Sequence, residues 1–165
     1  MRELYLTGMI DLLPEIRKLA DQYHANIVDI RRQIHANPEL AFEEFETAAA
    51  ILTFLEENGI ECISGVAKTG IVALIKGRNP GKKAIALRAD MDALPIQEKN
   101  EVDYKSKNEG KMHACGHDVH TSSLLGTAKI LNTMRDHFDG TVKLIFQPSE
   151  EKYPGGAKVM IEEGV

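Results

Sequence analysis

Two side chains that commonly bind metal ions, Cys115 and His117, stand two residues apart in the chain. A thiolate and an imidazole this close can both reach one divalent ion at about 2.0–2.3 Å, and Gly116 between them allows a sharp backbone turn. The alternative is a buried cysteine beside surface histidines. Because His113 and Asp118 belong to the same six residues, four candidate ligands favour a metal site. The chain has only two cysteines, so a closed structural zinc finger is not expected.

A pair of adjacent carboxylates, Glu150 and Glu151, follows the apolar run VKLIF at 142–146, which predicts a buried strand. Neighbouring residues at a strand end point in different directions. One carboxylate can therefore bind the ion while the other addresses its water, which would supply a ligand and a general base. The alternative is a solvated acidic pair ahead of the Pro-Gly-Gly turn at 154–156.

Two further carboxylates, Asp90 and Asp92, follow a second predicted strand, KAIALR at 83–88. Aspartates in this position commonly form turns, but they can also orient a metal ligand or a general base through a hydrogen bond. We assign this orienting role to Asp90 rather than Asp92. Other histidines and the second cysteine are expected only to pack or to be solvated: His24, His35, His137 and Cys62.

The elements that must hold these residues are helices alternating with strands. Apolar residues three and four positions apart predict the helices, and short apolar runs between turn residues predict the strands. The charged segment 97–112 lacks periodicity and predicts a solvated loop. This alternation favours an α/β sheet covered by helices. In chain order we predict a helix at 16–34, a helix at 42–55, strands at 61–66, 70–76 and 83–88, a helix at 116–135 and a strand at 142–146.

Composition narrows the function classes. The chain has 165 residues, 43% of them hydrophobic, and a formal net charge of -5, which is the balance of an ordinary soluble domain. The acidity and the lack of a basic cluster argue against nucleic acid. Apolar runs of about five residues are far shorter than the ~20 needed to cross a bilayer, and the N-terminus does not resemble a secretory signal. We therefore expect a cytoplasmic protein with no membrane partner.

Four segments carry a resemblance to a known family: IHANPELAFEE at 34–44, LRADMDALPI at 87–96, MHACGHDVHTSSLLG at 112–126 and FQPSEEKYPGGAKVMIEEG at 146–164. Together they closely resemble the aminoacylase/hippurate hydrolase branch of the M20 metallopeptidase family. This resemblance implies the three-layer αβα, zinc-exopeptidase-like catalytic domain of the α/β class. Residues 1–165 would form the N-terminal part of that domain, with 1–15 as an N-terminal extension. It also implies a hydrolase that binds two divalent metals and cleaves N-acyl amino acids.

Position by position, the resemblance implies that Cys115, His117 and Glu151 bind metal and that Glu150 is the base that deprotonates the attacking water. Asp90 matches the supporting aspartate of the wider family. Zinc or manganese is the implied metal, with cobalt or nickel as substitutes. In many other branches a ligand histidine holds the place of Arg88, so the resemblance implies that this branch uses Cys115 instead.

Members of this family are more than twice as long, and they carry an inserted dimerisation and lid domain that this chain does not contain. The resemblance places two further ligand histidines in the remainder, and it implies a homodimer formed through the inserted domain. An alternative function is therefore an incomplete, inactive remnant that acts as a metal-binding or interaction module. A third alternative is a cysteine hydrolase that uses Cys115 with His117 or His120.

Overall fold

The computed structural model describes residues 2–165, with side chains described from Leu12 onward. Four helices, four strands and one short 3-10 turn follow one another in this part of the chain. Their bounds are α1 Arg2–Ala36, α2 Phe45–Glu57, β1 Glu61–Val66, β2 Gly70–Lys76, β3 Ala84–Asp90, α3 His117–Thr133, the 3-10 turn Arg135–His137, β4 Thr141–Gln147 and α4 Gly156–Glu162.

The four strands form one mixed sheet in the order β1-β2-β4-β3. Strands β1, β2 and β4 pair antiparallel, while β3 pairs parallel to β4. In this parallel pair Asp90 lies opposite Gln147, the last residue of each strand. The loops that follow the two strands therefore leave from the same edge of the sheet, where ligands commonly bind in α/β proteins.

Helices cover both faces of the sheet, as the predicted three-layer fold requires. Alternate residues of β2 point to opposite faces: Ile71, Ala73 and Ile75 belong to the larger core with residues of α2 and α3, whereas Val72 packs with Met160 of α4. The predicted α/β class with helices on the sheet is confirmed.

The sequence pattern located most elements closely. Strands β1 and β2 have the predicted bounds, and the segment 97–112 contains no regular helix or strand. Helix α1 begins at Arg2, well before the predicted start at Ile16. Helix α4 was not predicted, because it has only seven residues and begins at the second glycine of the pair. No helix in the described part of the chain is long and apolar enough to cross a membrane.

The assignment of residues 1–165 to the N-terminal part of a catalytic domain, with 1–15 as an extension, stays a prediction. The side chains of residues 1–11 lie outside the described part of the structure.

Candidate metal centre

Three segments bring the predicted site residues together at the carboxyl edge of the parallel strand pair. The loop after β3 carries Asp92, the turn after β4 carries the glutamate pair, and the start of α3 carries His117. Gly116 precedes α3 with a φ of 85°, a left-handed conformation that glycine adopts without steric cost. The sharp turn that we predicted between Cys115 and His117 is therefore present.

The predicted ligands Cys115, His117 and Glu151 form one cluster. One ligand atom from each residue lies within 4.8 Å of the other two. His117 is buried, whereas Cys115 and Glu151 are exposed, and the Nε2 atom of His117 lies 3.8 Å from Oε1 of Glu151. A thiolate, an imidazole and a carboxylate in this arrangement fit one divalent ion with an open coordination position.

Asp92 fixes the ring of His117. The Nδ1 atom of His117 lies 2.8 Å from the backbone carbonyl of Asp92 and 3.3 Å from its Oδ1 atom. With Nδ1 held in this way, Nε2 is the atom that faces the ligand cluster, which is the usual arrangement for a metal-binding histidine. Asp92 thus makes a contact that can orient a metal ligand, and the assignment of an orienting role to Asp90 stays a prediction.

The contact between Asp92 and His117 also shifts the pKa values of these two residues. Burial alone would raise the pKa of Asp92, but the hydrogen bond with His117 and the amides of Glu151 and Glu150 outweigh it and lower the pKa. Burial would lower the pKa of His117, but the carboxylates of Asp92 and Asp90 outweigh it and raise the pKa. Without metal the pair therefore favours a protonated imidazole, and a metal ion must displace that proton.

The thiol of Cys115 is held in its protonated form. A hydrogen bond to Glu151, followed by burial and the negative charges of Glu151, Glu150 and Asp90, raises the pKa of Cys115. A metal ion would reverse this balance, because it favours the thiolate and neutralises the surrounding carboxylates. The cluster is therefore suited to a cation rather than to an activated nucleophilic thiolate.

Asp90 lies in a neighbouring group with His117 and His120, whose ligand atoms also lie within 4.8 Å of one another. Its Oδ1 atom is 2.6 Å from Nδ1 of His120 and 3.6 Å from Nε2 of His117. Arg88 lies 3.0 Å from its other oxygen and donates a hydrogen bond to Gln147. His117 is thus shared between two groups that could each hold a cation.

The glutamate pair lies in a turn whose backbone amides are hydrogen-bonded to a buried carboxylate. The amides of Glu150 and Glu151 donate to Oδ1 and Oδ2 of Asp92, each at 2.9 Å. Glu150 is exposed and belongs to neither ligand group, although its charge affects Cys115. It therefore lies near the cluster without being part of it, as a general base must. The roles of all five predicted site residues stay predictions.

A buried polar cluster beneath α3 was missed by the sequence analysis. His35, expected only to pack or to be solvated, lies 2.7 Å from Asp118 and 3.2 Å from Glu98, and Arg31 lies 2.8 Å from the same Asp118 oxygen. Burial lowers the pKa of nearby His113 to about 4. No local pattern could reveal this cluster, because its members come from segments 63 to 83 residues apart.

The fold and the site together define a class of α/β protein that binds metal at the carboxyl edge of a helix-covered sheet. Comparison with known proteins makes this class specific. The profile of peptidase family M20/M25/M40 matches residues 86–165. The chain is 47% identical over 151 residues to an N-acyl-L-amino acid amidohydrolase of Geobacillus stearothermophilus. The aligned residues are 92% of this chain and 40% of that protein.

Two further comparisons agree. A hippurate hydrolase of Campylobacter jejuni is 50% identical over 156 residues, which are 94% of this chain and 39% of that protein. The structure of a dinuclear metal-binding M20 peptidase of Bacillus subtilis superposes with a TM-score of 0.82 at 48% identity, covering 87% of this chain and 40% of that one. The predicted resemblance to the M20 peptidase family is therefore confirmed. The chain spans about 40% of the length of these relatives.

Proposed function

We propose that this chain belongs to a metal-dependent amidohydrolase that cleaves the amide bond of N-acyl amino acids of the hippurate or N-acetyl type. The observation that carries the proposal is the convergence of Cys115, His117 and Glu151 within 4.8 Å. The names of the amidohydrolase relatives support the substrate class.

In this proposal Cys115, His117 and Glu151 hold the ion, and Asp92 keeps Nε2 of His117 directed at it. A bound divalent ion supplies Lewis acidity, which polarises the amide carbonyl and makes a water molecule more acidic. Glu150 takes the proton of that water and delivers it to the leaving amine, so that one carboxylate serves as base and then as acid. Asp90 supports the site through its contact with His120.

Zinc or manganese is the proposed metal, with cobalt and nickel as substitutes. The thiolate of Cys115 and the imidazole of His117 favour zinc, while the carboxylates are equally suited to manganese. The two ligand groups that share His117, together with the dinuclear relative, support two ions in the complete site.

A second candidate function is a metal-binding or interaction module without turnover. The observation that favours it is the set of ligands, because Cys115, His117 and Glu151 supply three, which underfill a two-metal site. The cysteine-hydrolase alternative is disfavoured, because the pKa of Cys115 is raised, whereas a nucleophilic cysteine needs an accessible thiolate.

One experiment separates these functions. The purified chain would be assayed on hippurate and N-acetylmethionine after chelation and again after addition of zinc, manganese or cobalt, with bound metal quantified in parallel. Turnover that is lost on chelation and restored by metal supports the amidohydrolase. Bound metal without turnover supports the module, and turnover that survives chelation contradicts both in favour of the cysteine hydrolase.

The remaining features of the proposal concern the setting of the protein. We propose a cytoplasmic location, which is consistent with two free cysteines, one of them exposed. We also propose that the complete protein forms a homodimer, acts on a small-molecule substrate, and has neither nucleic acid nor a membrane as a partner.

A further inference from the structure

In the turn that carries the glutamate pair, three successive backbone amides donate hydrogen bonds to buried carboxylates. The amide of Ser149 donates to Oε1 of Glu44 at 2.8 Å, and the next two amides, of Glu150 and Glu151, donate to Asp92. Ser149 has a φ of 49°, a left-handed conformation that is uncommon for residues other than glycine. The orientation of the turn therefore depends on these contacts rather than on regular secondary structure.

Glu44 is an unusual residue in this position. It is completely buried, and its second oxygen accepts a hydrogen bond from Thr69 at 2.6 Å. Among the described residues, no basic side chain lies within ion-pair distance of it. Burying a carboxylate without a cation is costly even when its oxygens are hydrogen-bonded. Such a group tends to be found where it has a role besides packing.

Glu44 and Asp92 differ in what they contact. Asp92 touches His117 and therefore belongs to the metal centre itself. The carboxylate of Glu44 touches no candidate ligand: it accepts hydrogen bonds from Ser149 and Thr69 and from backbone amides of its own segment, those of Glu44 and Phe42. Ser149 is held from the other side by the amide of Gly156 at the start of α4, which donates to the Ser149 carbonyl at 2.7 Å. Loss of Glu44 would therefore release one side of the turn without removing a ligand.

We propose that Glu44 is a positioning residue that orients Glu150 and Glu151 through the amide of Ser149. This inference rests on the proposed function, because it assigns a purpose to the orientation of the glutamate pair. Its direct consequence is that Glu44 contributes to metal affinity only as long as Glu151 is present to be positioned. A residue that merely stabilised the fold would show no such dependence.

The test is a titration of the metal-free chain with Co²⁺. Binding is monitored by the thiolate-to-cobalt charge-transfer absorption, which reports an ion bound at Cys115. For Glu44→Ala we expect about tenfold weaker Co²⁺ binding, the lower end of the effect of contacts that support ligands. Glu44→Gln should stay within about twofold of the wild type, because its amide oxygen can still accept from Ser149. In the background of Glu151→Ala, the additional change Glu44→Ala should have almost no effect.

A matched control excludes general destabilisation. Ile75→Val removes one methyl group from the core at the opposite end of the sheet, since Ile75 pairs with Val142 near the start of β4. It should leave Co²⁺ affinity unchanged. Should Glu44→Ala fail to fold, Glu44→Asp replaces it, because this variant keeps the charge but withdraws the carboxylate from Ser149 by one methylene.

The outcomes separate the inference from the proposed function. A wild-type chain that gives no thiolate-to-cobalt absorption contradicts the metal centre itself. Normal wild-type binding together with unchanged affinity in Glu44→Ala or Glu44→Asp contradicts only the positioning role. An equal loss with and without Glu151, or the same loss in Ile75→Val, shows a merely structural effect and also overturns the inference.

Discussion

At the scale of single residues, the site separates binding from proton transfer. Glu151 belongs to the ligand cluster, while its neighbour Glu150 does not, although both amides donate to the same carboxylate of Asp92. The hydrogen bonds to the buried carboxylate of Asp92 thus hold the backbone in a turn that places the side chains of Glu150 and Glu151 differently. This arrangement leads to a prediction that separates their roles.

We expect Glu150→Gln to reduce turnover by at least about 100-fold, because an amide cannot accept the proton of the attacking water. Metal content should not change, since Glu150 is not among the candidate ligands. The measurement is kcat on an N-acyl amino acid with metal analysis of the same sample. Glu151→Gln is the matched control and should lower metal content. Full activity in Glu150→Gln would remove the base from this position.

The buried carboxylate of Glu44 predicts a particular dependence of stability on pH. Burial raises the pKa of Glu44 above its ordinary value of 4.5, although hydrogen bonds with Thr69 and Ser149 oppose the rise. The folded state therefore holds this proton more tightly than the unfolded state. Its contribution to stability is complete below pH 4.5 and is lost as the pH rises through the folded pKa.

We accordingly expect Glu44→Gln, which cannot ionise, to gain stability relative to the wild type as the pH rises from 4.5. The measurement is the free energy of unfolding of both metal-free proteins in urea, over a pH series from about 4 to 8. The difference should grow above pH 4.5 and then level off. A constant difference, or one that grows on acidification, would contradict a raised pKa.

At the scale of elements, the sequence predicted what depends on local patterns. Strands β1 and β2, the turn at Gly116 and the grouping of Cys115 with His117 all follow from short-range spacing. The contacts of Asp92 with the glutamate pair join residues 58 and 59 positions apart, and the contact of Glu44 with Ser149 joins residues 105 positions apart. They could not be predicted from periodicity or composition, because they exist only once the sheet edge has formed.

Helix α4 illustrates the same limit and leads to a prediction. A Cβ atom added to Gly156 would lie 1.8 Å from the carbonyl oxygen of Pro148, so the backbone would have to shift. We expect Gly156→Ala to destabilise the fold by about 1–3 kcal/mol, the usual cost of overpacking, and to move α4 away from the glutamate turn. Thermal or urea unfolding measures this change.

Gly81→Ala is the control for this prediction, because a Cβ atom there would meet nothing within 4 Å. Its stability should be unchanged or raised by up to about 1 kcal/mol through a less flexible unfolded state. If both variants behaved alike, the close approach of Gly156 to Pro148 would have no energetic importance.

At the scale of the whole molecule, the two edges of the sheet differ. Strand β1 is interrupted by a bulge between Ser64 and Val66, a feature that discourages edge-to-edge pairing. Strand β3 pairs with β4 over all seven of its residues without a bulge. Its residue Ile85 is 57% exposed, and it lines an apolar cavity of about 440 Å³ together with residues that include Ile130 and Phe138. Of the two edges, the β3 edge is therefore the better suited to pair with another chain.

We expect the purified chain to self-associate through the β3 edge and Ile85→Lys to suppress that association, because a lysine on an edge strand opposes pairing with another chain. Ile63→Lys is the matched control: Ile63 is similarly exposed, at 61%, but lies on β1, whose bulge already protects its edge. Sedimentation velocity over a wide range of protein concentration measures the outcome. A wild-type chain that stays monomeric throughout, or equal suppression by both lysines, would show that the β3 edge has no special role.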